Sequence, residues 1–337
     1  MNKLPLAARA VWLALALALA GATTGCKVPA SLTKPSEEEQ REIDRKRELP
    51  TEVACLVVEY DYLHQEVSKP RKEPFDRVAF DYVGSESLSS AVANGAPTHV
   101  FVIAHGWMNN AISAQGFTSA WIHGLRAAAP AGAKPVFVGV HWDSERMVFH
   151  ESAFTAQRIG RKKIGPLLGE LRAQLPPRTK LVVVGHSLGG RLMLAALDAA
   201  PAESVDLALL IESAADVDWL YRTEGGTPKA DDAAKLTLNV HSRNDSVLEL
   251  AYKNAMRSPA LGRLGAELAA GQRFSTLELS GAVQLAALDV ALQAAASRAD
   301  GRGHFVNVDA TLLIPGHTDI FHEPVFELVW LGLQRAQ

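Results

Sequence analysis

The stretch Gly-His-Ser-Leu-Gly-Gly at residues 185–190 limits most strongly what this chain can fold into. It follows the apolar run 181–184, which is typical of a buried strand, and it precedes apolar residues that recur at helical spacing. Glycines on both sides of Ser187 let a strand turn sharply into a helix where there is no room for Cβ atoms. The stretch therefore predicts a serine in a strained turn, with its hydroxyl exposed at a helix N-terminus that favours negative charge.

Four more apolar runs are similar to the run before the serine, and they indicate parallel strands that are covered on both faces. They occupy residues 100–104, 135–140, 207–211 and 236–240. Helical patterns lie near residues 114–129, 154–175 and 188–200. This alternation predicts an α/β fold with a mostly parallel, doubly wound sheet, helices on both faces and right-handed crossovers.

Further segments extend the predicted sheet at both ends of the chain. Residues 53–60 and 77–83 are strand-like, and the alternation of the second segment predicts an antiparallel edge. Residues 306–313 predict the last strand. Residues 249–280 and 282–298 are rich in alanine and leucine, and they predict helices that either shape a pocket or only pack over the strand ends.

Size and charge narrow the possible functions. The chain has 337 residues, 48% of them hydrophobic, which is enough for one large α/β domain or two smaller ones. Its net charge of -3 provides no basic field for nucleic acid, so polynucleotides are excluded as partners. The sequence has neither a zinc-ligand spacing such as His-Glu-x-x-His nor a phosphate-binding glycine loop, so we expect no metal and no cofactor.

The first 25 residues predict an export signal. Lys3 and Arg9 flank a polar start, and the apolar run 11–20 is too short to span a bilayer but suits a secretory signal. The signal ends at Gly25-Cys26, which resembles the lipobox of bacterial lipoproteins; this resemblance implies that Cys26 is lipidated and anchors the protein to a membrane of the cell envelope. Cleavage after Ala-Gly-Ala at 20–22 is the alternative, and it would release a soluble periplasmic or secreted protein.

Residues 26–50 are polar and charged, and they predict a solvated tether that joins the signal to a folded domain at 51–337. The chain has two cysteines, Cys26 and Cys55. If Cys26 carries lipid, Cys55 is an unpaired, buried strand residue. If Cys26 is not lipidated, the two cysteines can form a disulfide in an oxidising compartment.

A serine hydroxyl is a strong nucleophile only when a histidine, oriented by a carboxylate, takes its proton. The motif at 185–189 and the segment Ala-His-Gly-Trp at 104–107 resemble the α/β-hydrolases, and from residue 53 onward the chain is similar to a poorly characterised bacterial group of serine-hydrolase-like proteins. Segments 140–144, 214–218 and 244–245 resemble that group more loosely. The resemblance implies an α/β-hydrolase fold in which Ser187 is the nucleophile and the acid and the histidine follow it in that order.

The resemblance implies that the acid follows a strand downstream of the serine. Asp245 fits this position, although an aspartate there also suits the cap of a helix that opens at residue 246. Asp216 and Asp218, after the preceding strand, are the alternatives.

The histidine should lie between the last strand and the last helix. His317, in the segment Pro-Gly-His-Thr, fits this position and is similar to the family's histidine loop. His322 is the competitor, but the nearby Pro324 suits a helix entrance. His304 lies upstream of the strand and is discounted.

The resemblance also implies an oxyanion hole built from two backbone N–H groups. One belongs to Leu188, directly after the nucleophile, and the other to Trp107 in the first strand-to-helix loop. The Trp107 side chain also suits a core aromatic. We expect His105 to be a hydrogen-bonded structural residue and His186 to pack beside the nucleophile.

These residues predict a serine hydrolase of carboxylic esters, similar to esterases and lipases, with a small-molecule or lipid ester as substrate. Amide, thioester and acyl-transfer chemistry stay open at this point, because the same triad serves all of them. The alternative is a catalytically inactive hydrolase fold that serves as a binding or scaffolding lipoprotein of the cell envelope.

Overall fold

The apolar runs of the sequence form the centre of one nine-stranded sheet. In chain order its strands are β1 (Val53–Val58), β2 (Val78–Tyr82), β3 (His99–Ala104), β4 (Pro135–Trp142), β5 (Lys180–His186), β6 (Val205–Ile211), β7 (Ala234–His241), β10 (Thr276–Glu278) and β11 (His304–Asp309). The short strands β8 (Glu267–Ala269) and β9 (Gln272–Arg273) pair separately. The spatial order is β10-β11-β7-β6-β5-β3-β4-β1-β2, so the chain winds in both directions from the centre.

This computed structural model describes residues 53–58, 78–82, 97–109, 111–220, 230–269, 272–296 and 304–336. The predicted signal at 1–25, the tether at 26–50 and Cys26 lie outside the described residues. No helix in the described ranges is long and apolar enough to cross a membrane.

All neighbouring strands of the large sheet are parallel except β1 and β2, which pair antiparallel at one edge. Both the parallel centre and the antiparallel edge were predicted from the hydrophobic pattern. The helices are α1 (Ala111–Ala127), α2 (Phe149–Ile159), α3 (Gly165–Gln174), α4 (Leu188–Leu197), α5 (Ala230–Ala233), α6 (Lys253–Met256), α7 (Leu261–Leu264), α8 (Leu285–Ala296) and α9 (Glu323–Arg335). π-helical turns lie at Gly160–Ile164 and Leu248–Tyr252.

Alternate residues of the central strands enter two different cores. On β5, Val182 and Val184 pack with the aromatic residues of α1 and α9, whereas Leu181 and Val183 pack with α2, α3 and α4. Helices thus cover both faces of the sheet, and the predicted α/β-hydrolase fold is confirmed.

Two boundaries differ from the prediction. Residues 249–280 are not mainly helical: they contain a π-helical turn, two short helices and the strands β8, β9 and β10. The reason is local, because Gly265 adopts a φ of 80°, which ends α7 and redirects the chain. The last strand also ends earlier than predicted, at Asp309, and the residues beyond it form the loop that carries His317.

Candidate active site

Ser187 lies between the end of β5 and the start of α4, in a strained conformation with φ 56° and ψ −123°. Close approach of three chain segments explains the glycines around it. A Cβ atom on Gly185 would lie 2.5 Å from the carbonyl oxygen of Gly189, and one on Gly189 would lie 2.3 Å from that of Ala104. The motif therefore folds into the strand-to-helix turn that its glycines predicted.

Three side chains that are far apart in the sequence form a continuous hydrogen-bonded row. Nε2 of His317 is 2.9 Å from Oγ of Ser187, and Nδ1 of the same imidazole is 2.6 Å from Oδ2 of Asp245. These distances suit a nucleophile and its base, with the base oriented by a third group. Because a carboxylate only accepts, Nδ1 carries the hydrogen and Nε2 is left to accept the serine proton.

Asp245 is fully buried in the loop after β7. Its Oδ1 accepts the backbone N–H of Leu248 at 2.8 Å, while its Oδ2 faces His317. One oxygen thus caps the helical turn that begins at residue 246, and the other contacts the imidazole, so the two predicted positions of Asp245 are compatible. Asp216, by contrast, accepts the hydroxyl of Tyr252 at 2.8 Å.

His317 is carried by the loop between β11 and α9, as predicted. The competing His322 is the residue before α9, and its Nε2 donates to the carbonyl of Asp319 at 2.9 Å. His304 begins β11. Because β11 runs parallel to β7, His304 at the start of β11 and Asp245 after the end of β7 lie at opposite ends of these strands.

The loop that follows β3 lies against the serine. A Cβ atom on Gly106 would be 2.9 Å from Cβ of Ser187, so the backbone here is as close as glycine permits. The Asn109 side chain holds this loop by donating to the carbonyls of Gly106 and Trp107 at 3.1 and 3.0 Å. The Trp107 indole donates to the carbonyl of Arg146 at 2.7 Å and packs edge-on against Phe149, so this side chain serves the packing of the loop.

Leu188 is the first residue of α4, so its N–H belongs to the helix-terminal group that has no partner within the helix. Two backbone hydrogen bonds fix the turn. The N–H of Ser187 donates to the carbonyl of Ile211 at 3.0 Å, and the N–H of Ala214 donates to the carbonyl of Ser187 at 2.9 Å. The elbow is therefore tied to the end of β6 and cannot relax without breaking that contact.

Two further histidines flank the row, and both are buried and neutral. Burial lowers the pKa of His105 and that of His186 to about 3. His105 accepts the backbone N–H of Trp142 at Nε2 and donates from Nδ1 to the carbonyl of Gly106. His186 donates from Nε2 to the carbonyl of His317 at 2.8 Å and so supports the loop of that residue.

Glu212 is a residue of this site that the sequence analysis missed. It directly follows β6, it is fully buried, and its Oε2 lies 3.9 Å from both Nδ1 of His317 and Nε2 of His186. Burial, together with the neighbouring Asp245, raises the pKa of Glu212 well above its usual range. The signal in the sequence was an acidic residue directly after the apolar run 207–211, and a solvent-exposed strand end produces the same pattern.

His186, Glu212 and His317 form the one group in the described part of the chain whose spacing would suit a metal ion, with ligand atoms within 4.8 Å of one another. The nitrogens nearest Glu212 already have acceptors, because Nε2 of His186 donates to a carbonyl and Nδ1 of His317 donates to Asp245. Both of these nitrogens are therefore engaged in hydrogen bonds within the protein.

No protein-family model and no curated protein matches this sequence. Among solved structures, the chain is similar to LpqC, a poly(3-hydroxybutyrate) depolymerase from Bordetella parapertussis, at 12% identity, with 72% of this chain and 86% of that chain covered and a TM-score of 0.40. It is also similar to tomato methylketone synthase I, at 12% identity, with 71% and 99% covered and a TM-score of 0.31.

An acetylxylan esterase is similar over 40% of this chain and 79% of that chain, at 16% identity and a TM-score of 0.29. Identities and TM-scores this low carry no information about the reaction. The function therefore depends on the geometry of the site itself.

Proposed function

We propose that this protein is a serine hydrolase of carboxylic esters, with Ser187, His317 and Asp245 as its catalytic triad. The observation that carries the proposal is the row of two hydrogen bonds, 2.9 and 2.6 Å long, that ends on a serine in a strained elbow. Strain of this kind persists where the surrounding fold enforces it, and it is concentrated at functional sites.

In the first step, Oγ of Ser187 attacks the ester carbonyl carbon while Nε2 of His317 takes the hydroxyl proton. Asp245 stabilises the imidazolium that forms. The tetrahedral intermediate then collapses, the carbon–oxygen bond to the alcohol breaks, and His317 returns its proton to that oxygen. Water repeats the sequence on the acyl-enzyme, releases the carboxylic acid and restores Ser187.

The oxyanion of each tetrahedral intermediate needs donors that are already in place. We assign this role to the backbone N–H groups of Leu188 and Trp107. Leu188 stands at the N-terminus of α4, where the helix dipole favours negative charge, and the side chain of Asn109 fixes the conformation of the Trp107 loop.

The lipobox-like end of the predicted signal leads us to propose that the enzyme works in the bacterial cell envelope, anchored through lipid on Cys26. An anchored hydrolase meets small-molecule and lipid esters at the membrane surface. Mass spectrometry of the exported protein tests the anchor, because lipidation adds the mass of the acyl groups to a chain that begins at Cys26.

The test of the triad is turnover of a short p-nitrophenyl ester together with labelling by a fluorophosphonate, which reacts only with an activated serine. The wild-type protein should hydrolyse the ester and become labelled, and Ser187→Ala should do neither while its circular dichroism is unchanged. Equal turnover by Ser187→Ala would refute the assignment. A wild-type protein that is neither active nor labelled would favour the binding lipoprotein instead.

A further inference from the structure

We propose that Glu212 is a positioning residue of the triad, a protonated carboxylic acid whose hydroxyl donates to Asp245 and holds that carboxylate against Nδ1 of His317. This inference rests on the proposed function. It adds a fourth side chain to the site, one that acts through Asp245 and does not touch the substrate.

The location of Glu212 argues for a neutral acid. Its carboxyl is fully buried, and in the described ranges no N–H or O–H group donates a hydrogen bond to either of its oxygens. A buried carboxylate needs a cation or several donors, since the cost of desolvating an unpaired charge is several kcal/mol. The titratable groups that face it are Asp245, Asp319, His186 and His317, which are two acids and two imidazoles.

Neither imidazole compensates a charge on Glu212. His186 is neutral, because burial lowers its pKa to about 3. His317 gives its Nδ1 hydrogen to Asp245 at 2.6 Å, whereas Oε2 of Glu212 is 3.9 Å from that nitrogen. Two carboxyl groups around one imidazole cannot both be ionised at low cost, so one of them holds a proton. The shorter contact identifies Asp245 as the ionised member.

A proton on Glu212 also solves the problem of its unpaired oxygens. The hydroxyl is a donor, and the Asp245 carboxylate is a charged acceptor beside it, because Oδ2 of Asp245 lies 2.6 Å and Oε2 of Glu212 lies 3.9 Å from the same Nδ1 of His317. A hydrogen bond to a charged acceptor is among the stronger ones in proteins. It would add a further restraint on Asp245, whose Oδ1 already accepts the backbone N–H of Leu248.

The backbone holds Glu212 where this contact requires it. Its φ is 42°, a conformation that L residues rarely adopt, and its N–H donates to the carbonyl of Val240 at 2.9 Å. Gly262 packs so closely that a Cβ atom there would lie 2.0 Å from the carbonyl carbon of Glu212. A strained backbone conformation that the surrounding contacts enforce, beside a catalytic group, indicates a functional position.

Two isosteric variants separate the proposal from its alternatives. Glu212→Gln keeps a neutral donor, so kcat, KM and the pH profile for the p-nitrophenyl ester should stay within about threefold of wild type. Glu212→Met keeps the length without a donor, so kcat should fall about 10- to 100-fold with KM unchanged. Equal kcat values in wild type and Glu212→Met would overturn the positioning role.

The pH profile tests the charge. If Glu212 were ionised, both variants would remove a negative charge near His317, and the acidic limb of kcat/KM would move to lower pH by the same amount in each. The proposal predicts no such shift in Glu212→Gln. A common shift in both variants would overturn it.

Infrared difference spectroscopy of the full chain tests the proton without requiring activity or the methionine variant. The wild type minus Glu212→Gln spectrum at pH 7 should contain the carbonyl band of a protonated carboxylic acid, and the spectrum for the exposed control Glu170→Gln should not. Absence of that band would overturn the proposal. This readout would survive failure of the hydrolase assignment, which Ser187→Ala tests separately.

Discussion

Strand β6 buries an acidic residue at each end, and the two ends treat their acids in opposite ways. Near its start, Asp206 faces three cations: Arg172 at 3.3 Å, Lys180 at 3.3 Å and Lys235 at 3.4 Å. It also accepts the backbone N–H of Leu181 at 2.9 Å. After the end of the strand, Glu212 has only imidazoles as ion-pairing neighbours among the described residues.

Under the proposed function, the difference separates the end of the sheet where contacts serve the fold from the end where side chains serve catalysis. In a parallel sheet the starts of the strands meet at one edge, and there Asp206 joins β5, β6 and β7 by satisfied contacts. At the other edge the strand ends carry Ser187, Glu212 and Asp245, with strained backbone and an uncompensated acid. Ligands bind at this edge in open α/β sheets.

The strongest test of this comparison is Asp245→Asn, at the end of the sheet that carries Ser187 and Glu212 (here called the chemical edge). The amide oxygen can still cap Leu248, so the free energy of unfolding should change by less than about 1 kcal/mol. The amide cannot hold His317 in the required tautomer, so kcat for the p-nitrophenyl ester should fall about 10³- to 10⁴-fold. Steady-state kinetics and urea unfolding measure the two effects; a large loss of stability without loss of turnover would make Asp245 a structural cap only.

The same acid-to-amide change at the other edge, Asp206→Asn, should reverse the pattern. It removes the charge that compensates three partly buried cations, so the free energy of unfolding should fall by about 2–4 kcal/mol. The kcat of the folded protein should stay within about twofold of wild type.

Glu212→Gln is the matched control for stability. At neutral pH it should raise the free energy of unfolding, because the wild-type acid must keep a proton that the unfolded chain releases. The protonated Glu212 of the wild-type protein contributes its full stabilisation below the pKa of the unfolded residue, and this stabilisation is lost as the pH rises through the raised pKa of the folded state. A destabilised Glu212→Gln protein would show that the carboxyl supports the fold as Asp206 does.

How much of the site could be predicted from the sequence depends on whether the contacts that build it are local in the chain or join distant segments. The elbow was predictable because the close contacts of Gly185 and Gly189 are local consequences of one turn. Asp245 and His317 were predictable only through the chain order of the resembled family. Glu212 was not, since its burial depends on Gly262 and on residues of β7, which the local pattern around residue 212 does not contain.

A smaller effect is expected where the β3 loop meets the elbow. In Gly106→Ala, the new Cβ atom would lie 2.9 Å from Cβ of Ser187 and push the loop of Trp107 away from the oxyanion position. We expect kcat to fall about 10- to 100-fold, as misplacement by a fraction of an ångström to one ångström does in other enzymes. Gly116→Ala in α1 is the control, because nothing lies within 4 Å of its added Cβ. Equal kcat values in both variants would remove the loop from the site.

The smallest effect concerns the neutral histidines of the chemical edge at acid pH. His186 is unprotonated in the folded state because burial lowers its pKa to about 3, whereas its ordinary value is 6.5. Its contribution to stability is therefore complete above pH 6.5 and is lost as the pH falls toward 3, since the unfolded chain binds the proton first.

His186→Gln keeps a donor for the carbonyl of His317 but has no proton to gain. The difference in unfolding free energy between this variant and wild type should therefore shift in favour of the variant by about 2 kcal/mol between pH 7 and pH 5. Urea unfolding at both pH values measures that shift. Asp206→Asn is the control, because it removes no histidine, and its difference in unfolding free energy from wild type should not change between pH 7 and pH 5. An equal shift in both variants would show that acid weakens the whole sheet and does not act specifically on the edge that carries His186.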